Sequence, residues 1–257
     1  MSILELDLGN TRCKWRLLDD PGDAPVFSAS GAALRGAFAT TAWYQGALPD
    51  VWRKLAVTRV RVANVAGSDI ARIVRETFAE RFTVEAEFAT VTARCNGITC
   101  AYDDVGRLGV DRWLAVLAAH HRDPSPALVV DCGSAVTLDL LGDGGSHLGG
   151  YIVPGLALMR RALFEDTDAV KVDVNFSSSM ALGPGKDTVA AVNRGLPLMV
   201  LGAIDRALQQ LRVEVGAAVA PKLWLTGGDG AFFSSICAQD HILVDDLVLD
   251  GLVLTNP

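Results

Sequence analysis

Two short polar turns in this sequence carry residue types suited to holding phosphate. The first is Asp7-Leu8-Gly9-Asn10-Thr11. The second is Asp131-Cys132-Gly133-Ser134-Ala135, and its Asp131 lies 124 residues after Asp7. Each ends an apolar run with Asp-x-Gly and leads into a second apolar run. Glycine lets the backbone approach a phosphate closely, and successive N–H groups in such a turn form an anion-binding nest. Asn10, Thr11 and Ser134 add short polar donors, and each aspartate can hold a cation or its waters. A single Asp-x-Gly is also an ordinary turn. Two copies with matched flanks, half a chain apart, read as an internal duplication.

Other phosphate signatures fail. Gly185-Lys186 resembles a Walker fragment, but Met180 stands where its first glycine belongs and Asp187 follows the lysine. The run from Gly142 to His147 breaks the dinucleotide fingerprint at its last position, and no Gly-x-Ser-x-Gly elbow occurs. Asp111 lies in the first turn of a predicted helix, where the macrodipole favours a carboxylate. On local grounds it is a helix stabiliser, with Arg112 paired to it or to Asp104. The four histidines form no motif and read as surface or satisfied polar residues, and Trp113 and Trp224 read as core.

The elements that must position these residues follow from hydrophobic periodicity. Ile3–Leu8 and Lys14–Leu18 read as neighbouring strands, with a turn at 20–23 and a third strand over Ala24–Ser30. Ala37–Leu55 reads as an interrupted helix and Val57–Val65 as a strand. Ser68 then offers an N-cap, and Phe82–Phe88 is a further strand. Val110–His121 reads as a helix, and Arg122–Pro126 is the clearest linker. Beyond the linker the opening pattern returns. Ala127–Gly133, Val136–Leu141 and His147–Pro154 read as strands, followed by a helix over Leu156–Phe164. A long apolar helix, or two, covers Val189–Leu211. Lys222–Thr226 is a strand stopped by glycines, and Ile242–Leu254 ends the chain as a strand and a short helix. The domains expected are residues 1–122 and 123–257.

The chain has 257 residues, of which 50% are hydrophobic and 21% charged, with a formal net charge of −7. It can therefore bury a full core, and it has no basic surplus for nucleic acid or an anionic membrane. Mean hydropathy is +0.30, yet no apolar run is long enough to span a bilayer. Five cysteines without regular spacing make a poor disulfide framework. With no basic stretch ahead of an apolar one at the start, the chain is expected in the cytoplasm.

Five stretches together resemble type III pantothenate kinases, the Bvg accessory factor family, within the actin, sugar kinase and Hsp70 superfamily. They are Asp7-x-Gly9-Asn10-Thr11, Gly109-Val110-Asp111-Arg112, Asp131-x-Gly133-Ser134-Ala135, Gly149-Gly150-Tyr151-Ile152-x-Pro154-Gly155 and Thr226-Gly227-Gly228. The resemblance implies an α/β fold of two ribonuclease-H-like (actin-like ATPase) halves with a central cleft. It also implies transfer of phosphate from ATP to pantothenate, the first step of coenzyme A synthesis. The first phosphate loop would be Asp7, Leu8, Gly9, Asn10, Thr11, Arg12, Cys13 and Lys14, and the second Gly133 and Ser134. Ser134 replaces the family's usual threonine and keeps the hydroxyl. Pantothenate would meet Tyr102, Gly109, Val110, Asp111 and Arg112, with Asp111 as proton acceptor and Arg112 facing the carboxylate. Thr188 would reach it from the partner subunit of a homodimer. Asp131 would bind a monovalent cation, K+ or NH4+, beside the Mg2+ that accompanies ATP. The alternatives are another small-molecule kinase of the superfamily, or a nucleotide-sensing regulator without turnover.

Overall fold

The computed structural model describes residues 2–19, 32–165, 182–216 and 220–256. In chain order the strands are β1 (Ser2–Leu8), β2 (Arg12–Asp19), β3 (Ala32–Ala39), β4 (Val57–Asn64), β5 (Ala86–Phe88), the two-residue β6 (Arg94–Cys95) and β7 (Ile98–Thr99), β8 (Ala127–Cys132), β9 (Ala135–Leu141), β10 (His147–Pro154), β11 (Lys222–Thr226) and β12 (Ile242–Leu243). The α-helices are α1 (Ala42–Gln45), α2 (Ser68–Phe82), α3 (Val110–Arg122), α4 (Leu156–Glu165), α5 (Thr188–Val215), α6 (Gly230–Ile236) and α7 (Leu247–Thr255). The turn at 20–23, the strand expected over Ala24–Ser30, and Met180 lie outside the described residues.

Two five-stranded sheets share one topology. The first has the order β3-β2-β1-β4-β5 and the second β10-β9-β8-β11-β12. In each, two antiparallel hairpins lead to the central strand, and the remaining strands join in parallel. The duplication read from the Asp-x-Gly turns is therefore a duplication of the whole sheet, with Asp7 and Asp131 at the ends of the equivalent strands β1 and β8.

By contact the chain divides into two compact units, Met1–Asn96 with Tyr102–Ala118 and Asp246–Pro257, and Gly97–Ala101 with Ala119–Asp245. A simple cut at residue 122 would leave α7 with the second sheet. Instead α7 belongs to the first unit, where Asp250 bonds Arg16. Gly251 lies so close to the Leu114 backbone that a Cβ would collide with its carbonyl.

In the first unit the two faces of the sheet differ, as a period of two requires. One face carries Leu4, Leu6, Leu8, Cys13, Trp15, Leu17, Val60 and Val62, buried with Ile70, Val74 and Phe78 of α2. The other carries Glu5 on β1, opposite Arg16 on β2 and Arg61 on β4. Glu5 accepts from Arg16 Nε at 2.6 Å and from Arg61 Nη1 at 3.2 Å, and Arg16 Nη1 reaches Asp250 Oδ1 at 2.6 Å. All four are buried, with Glu5 and Arg16 at 0% exposure. Burial alone would push the Arg16 guanidinium down, but Glu5 and then Asp250 outweigh it and hold it above its ordinary value. Two carboxylates balance two guanidiniums.

In the second unit, β8, β9 and β11 bury Leu128, Val130, Cys132, Val136, Leu138, Leu140, Leu223 and Leu225. Their cover includes Leu196, Val200, Ile204, Leu208 and Leu211, which recur at helical spacing along α5. α5 is one helix that passes through Pro197. Asp187 caps it by accepting from Ala190 N–H at 2.8 Å. Gly185 folds against the backbone of Ala190 and Ala191, so the Walker-like pair belongs to a helix cap.

Three local expectations differ from the structure. The strand expected over Phe82–Phe88 is only Ala86–Phe88, because α2 runs through Phe82 and ends at Thr83 in the left-handed conformation. Ala37–Leu55 is not an interrupted helix: β3 runs to Ala39, and α1 and a 3-10 turn over Asp50–Lys54 follow. The alanines favour helix, but pairing with β2 overrides that local preference. Ser68 is the first residue of α2 rather than its cap. Gly67 takes the cap position and its carbonyl accepts from Ala71 N–H.

Truncating Asp250 to alanine leaves Arg16 buried against Glu5 alone, and loss of one partner from a buried pair costs about 3–5 kcal/mol. Urea unfolding of Asp250→Ala should show a loss of that size; an unchanged midpoint would contradict the assigned role.

Candidate active site

The first loop joins β1 to β2 and is closed by its own backbone, Gly9 N–H donating to Arg12 O at 3.1 Å. Gly9 has no room for a side chain without crowding, since a Cβ would stand 3.1 Å from that carbonyl. Thr40, at the end of β3, clamps the loop from outside. Its hydroxyl donates to Gly9 O at 2.6 Å and its N–H to Thr11 O at 3.0 Å. Thr40 is buried and escaped the sequence reading, because a threonine after an alanine-rich segment carries no local signature. Asn10, Thr11 and Arg12 are exposed, and Asp7, Gly9 and Lys14 are half-buried. Leu8 and Cys13 point into the core. Burial, with Asp7 nearby, pushes the Cys13 thiol far up, so it stays protonated. Any part these two play in binding is through their backbone.

The second loop is one residue shorter. Leu8 pairs with Cys13 across the first, whereas Cys132 pairs with Val136 across the second. Counted back from the returning strand, Thr11 and Ser134 hold the same place, immediately before β2 and β9. Gly133 N–H donates to Ala135 O at 3.1 Å, and Gly155 N–H to Ser134 O at 3.1 Å. Here glycines do the clamping. A Cβ on Gly155 would overlap the carbonyls of Gly133 and Ser134. Gly227, at φ +94°, lies so close to Asp131 and Cys132 that a Cβ would overlap both. Asp229 N–H donates to Cys132 O at 2.9 Å. The motifs at 149–155 and 226–228 thus brace the Asp131-Ser134 turn. Asp131 is half-buried and Ser134 exposed. Burial pushes the Asp229 carboxyl up. Asp229 is a further carboxylate at this strand end that the sequence reading did not single out, being one aspartate in a glycine run.

The third group opens α3. Asp104 Oδ1 accepts from Gly106 N–H at 3.1 Å, shaping the turn before the helix. Asp111 is half-buried in the first helical turn and its Oδ1 accepts from Arg112 N–H at 2.8 Å. It folds back over Gly109, where a Cβ would stand 2.5 Å from the same oxygen. Arg112 is buried, and its Nη1 donates to Tyr102 Oη at 3.1 Å. Tyr102, Gly109, Asp111 and Arg112 therefore form one cluster, while the side chain of Val110 is buried. Thr188 is exposed as the first residue of α5.

Two sheets in the order 3-2-1-4-5, each with an Asp-x-Gly turn at the end of its central strand, make an α/β fold of two ribonuclease-H-like halves of the actin-like ATPase type. The fold recurs in a structure from Campylobacter jejuni described as a Baf family transcriptional activator, with TM-score 0.59 and 20% identity, covering 97% of this chain and 95% of that one. It recurs also in one from Sinorhizobium meliloti described as a 2-dehydro-3-deoxygalactonokinase, with TM-score 0.55 and 14% identity, covering 98% and 94%. Residues 3–210 match the family model for type III pantothenate kinase. Type III pantothenate kinases of Chromohalobacter salexigens and Pseudomonas savastanoi pv. phaseolicola are each 38% identical over 259 residues. Both alignments take in 99% of this chain, with 87% of the first relative and 99% of the second. The chain belongs to the type III pantothenate kinase family, and it is a kinase.

Gly155→Ala forces a methyl group into the carbonyls of the second loop, and overpacking of this kind costs about 1–3 kcal/mol. Gly183→Ala, where nothing stands within 4 Å, is the control. Thermal unfolding should separate the two, with equal midpoints counting against the bracing role of Gly155.

Proposed function

We propose that this chain transfers the γ-phosphoryl group of ATP to pantothenate, giving 4'-phosphopantothenate and ADP, the reaction that opens coenzyme A synthesis. Family membership supports the reaction, and the observation that carries it to particular residues is the Tyr102–Arg112–Asp111 cluster at the start of α3. Asp111 takes the proton of the attacking hydroxyl and orients it. A carboxylate held at a helix N-terminus is a weak base, which suffices because the transition state for phosphoryl transfer is loose and depends on positioning and charge. The Arg112 guanidinium, steadied by Tyr102, faces the pantothenate carboxylate. In the first loop the backbone of Gly9 to Lys14, with Asn10 and Thr11, holds phosphate oxygens. Gly133 and Ser134 do so in the second.

The donor set fits hard cations. Asp7 and Asp131 are half-buried carboxylates at strand ends, and oxygen ligands suit both Mg2+ and a monovalent ion. Among the described residues no three His, Cys, Asp or Glu side chains converge on a metal position. One or two carboxylates completed by phosphate oxygens and water is the ordinary arrangement for Mg2+. Bound there, cations offset the charge of the phosphates; Asp131 is assigned the monovalent one, K+ or NH4+.

We assign the active form as a cytoplasmic homodimer. Val189, Leu198 and Met199 of α5, and Tyr151 and Ile152 of the edge strand β10, are large apolar side chains left in solvent, of the kind that a second copy would bury. Thr188, on α5, then contributes to the partner's pantothenate site. Among the described residues no helix is long and apolar enough to cross a membrane.

Purified protein with ATP, Mg2+ and K+ should release ADP only when pantothenate is added; release that ignores pantothenate would refute the reading. Asp111→Asn should lower kcat by about 10²-fold or more, the scale of a lost general base, with its thermal midpoint unchanged. Replacing K+ by Na+ should depress the wild type strongly and Asp131→Asn little. Met199→Asp should sediment as a monomer if α5 forms the interface.

A further inference from the structure

A histidine–aspartate pair is buried in the second unit and takes no part in the roles assigned above. His147 opens β10 and Asp139 lies on β9, at 3% and 2% exposure. His147 Nε2 is 3.0 Å from Asp139 Oδ1. The other ring nitrogen faces the backbone, Nδ1 lying 3.5 Å from Ala101 N. An amide N–H can only donate, so Nδ1 is the acceptor, and in the neutral ring the proton sits on Nε2 and is donated to Asp139. Asp139 thereby fixes both the tautomer and the direction of the ring, as a carboxylate does behind many functional histidines.

What the ring holds is the last residue before Tyr102. The short segment 97–101 is tied to the start of β10 along its length. Thr99 bridges to Ser146, and Gly145, at φ +76°, sits so close to Gly97 that a Cβ would overlap its carbonyl. Ala101 is exposed, so its N–H would otherwise be left to water and the chain to swing at this point. Burying an imidazole and a carboxylate is costly unless both are bonded, and an apolar pair would fill the same space at less cost.

We propose that His147, oriented by Asp139, is a positioning residue for pantothenate: it fixes the Ala101 backbone and so sets where Tyr102 presents itself. This rests on the assignment of Tyr102 to the pantothenate site.

Two substitutions separate positioning from packing. His147→Asn keeps an acceptor oxygen where Nδ1 lies and loses the bond to Asp139. His147→Gln keeps a donor nitrogen where Nε2 lies and loses the acceptor for Ala101. Steady-state kinetics should show KM for pantothenate raised about two- to tenfold in His147→Gln, the scale of one hydrogen bond exchanged for water. KM for ATP should stay unchanged, and His147→Asn should remain closer to wild type. A packing role predicts the reverse order, since asparagine leaves the larger void. That order, or an equal rise in both KM values, would overturn the proposal. Tyr102→Phe tests the underlying assignment separately. If it leaves KM for pantothenate unchanged, the assignment of Tyr102 falls; if it raises KM while His147→Gln does not, only the role of His147 falls. Hydrogen exchange on the wild-type protein needs no variant: the Ala101 amide should be protected despite its exposure, and rapid exchange there would also overturn the proposal.

Discussion

The buried quartet of Glu5, Arg16, Arg61 and Asp250 is the constraint on which the first unit depends. It ties three neighbouring strands to a helix that arrives more than 230 residues later. Glu5 sits two residues before Asp7 on the same face of β1, and Arg16 sits two residues after Lys14 on β2. Next to the β1–β2 turn, on this face of the sheet, thus lies a neutral, buried set of charges. Such a set has little slack: a guanidinium and a carboxylate in low dielectric hold their geometry because every displaced arrangement leaves a charge uncompensated. The loop above it can then be short and polar.

The two loops reach the same end by different means. The first is pinned by a side chain, Thr40, whose hydroxyl and N–H fasten two loop carbonyls. The second is pinned by absences, Gly155 and Gly227 allowing backbone to lie where any Cβ would intrude. Both leave the outward polar groups exposed and the flanking Leu8, Cys13 and Cys132 in the core. On the proposed reading, a chain with net charge −7 needs no basic surface to meet phosphate, because braced turns of this kind can present N–H groups instead.

What could be read from the sequence was what local pattern carries. The alternating or continuous apolar runs of β1, β8, β10 and β11, the amphipathic α3 and the repeated Asp-x-Gly turn all declare themselves within a few residues. The third strand did not. Ala32–Ala39 is rich in helix-favouring alanine and becomes a strand only by pairing with β2. Nor did the allegiance of α7, which is decided by Arg16 and Leu114 rather than by its neighbours in sequence. Thr40 and His147 were invisible for the same reason: each acts on a residue 31 or 46 positions away, and neither sits in a motif.

The register that places Arg16 opposite Glu5 in the first sheet places Asp139 opposite Val129 in the second. Equivalent positions of the duplicated fold thus carry opposite charges. Tandem copies of one fold are prone to exchanging strands while they fold. Here a β9 strand paired by mistake with β1 would bury Asp139 against Glu5, two carboxylates left to share the single guanidinium of Arg61. A β2 strand paired with β8 would bury Arg16 against valine. Divergence at this one site therefore labels each hairpin with its own address, and the penalty for a wrong delivery is an unpaired charge in the core.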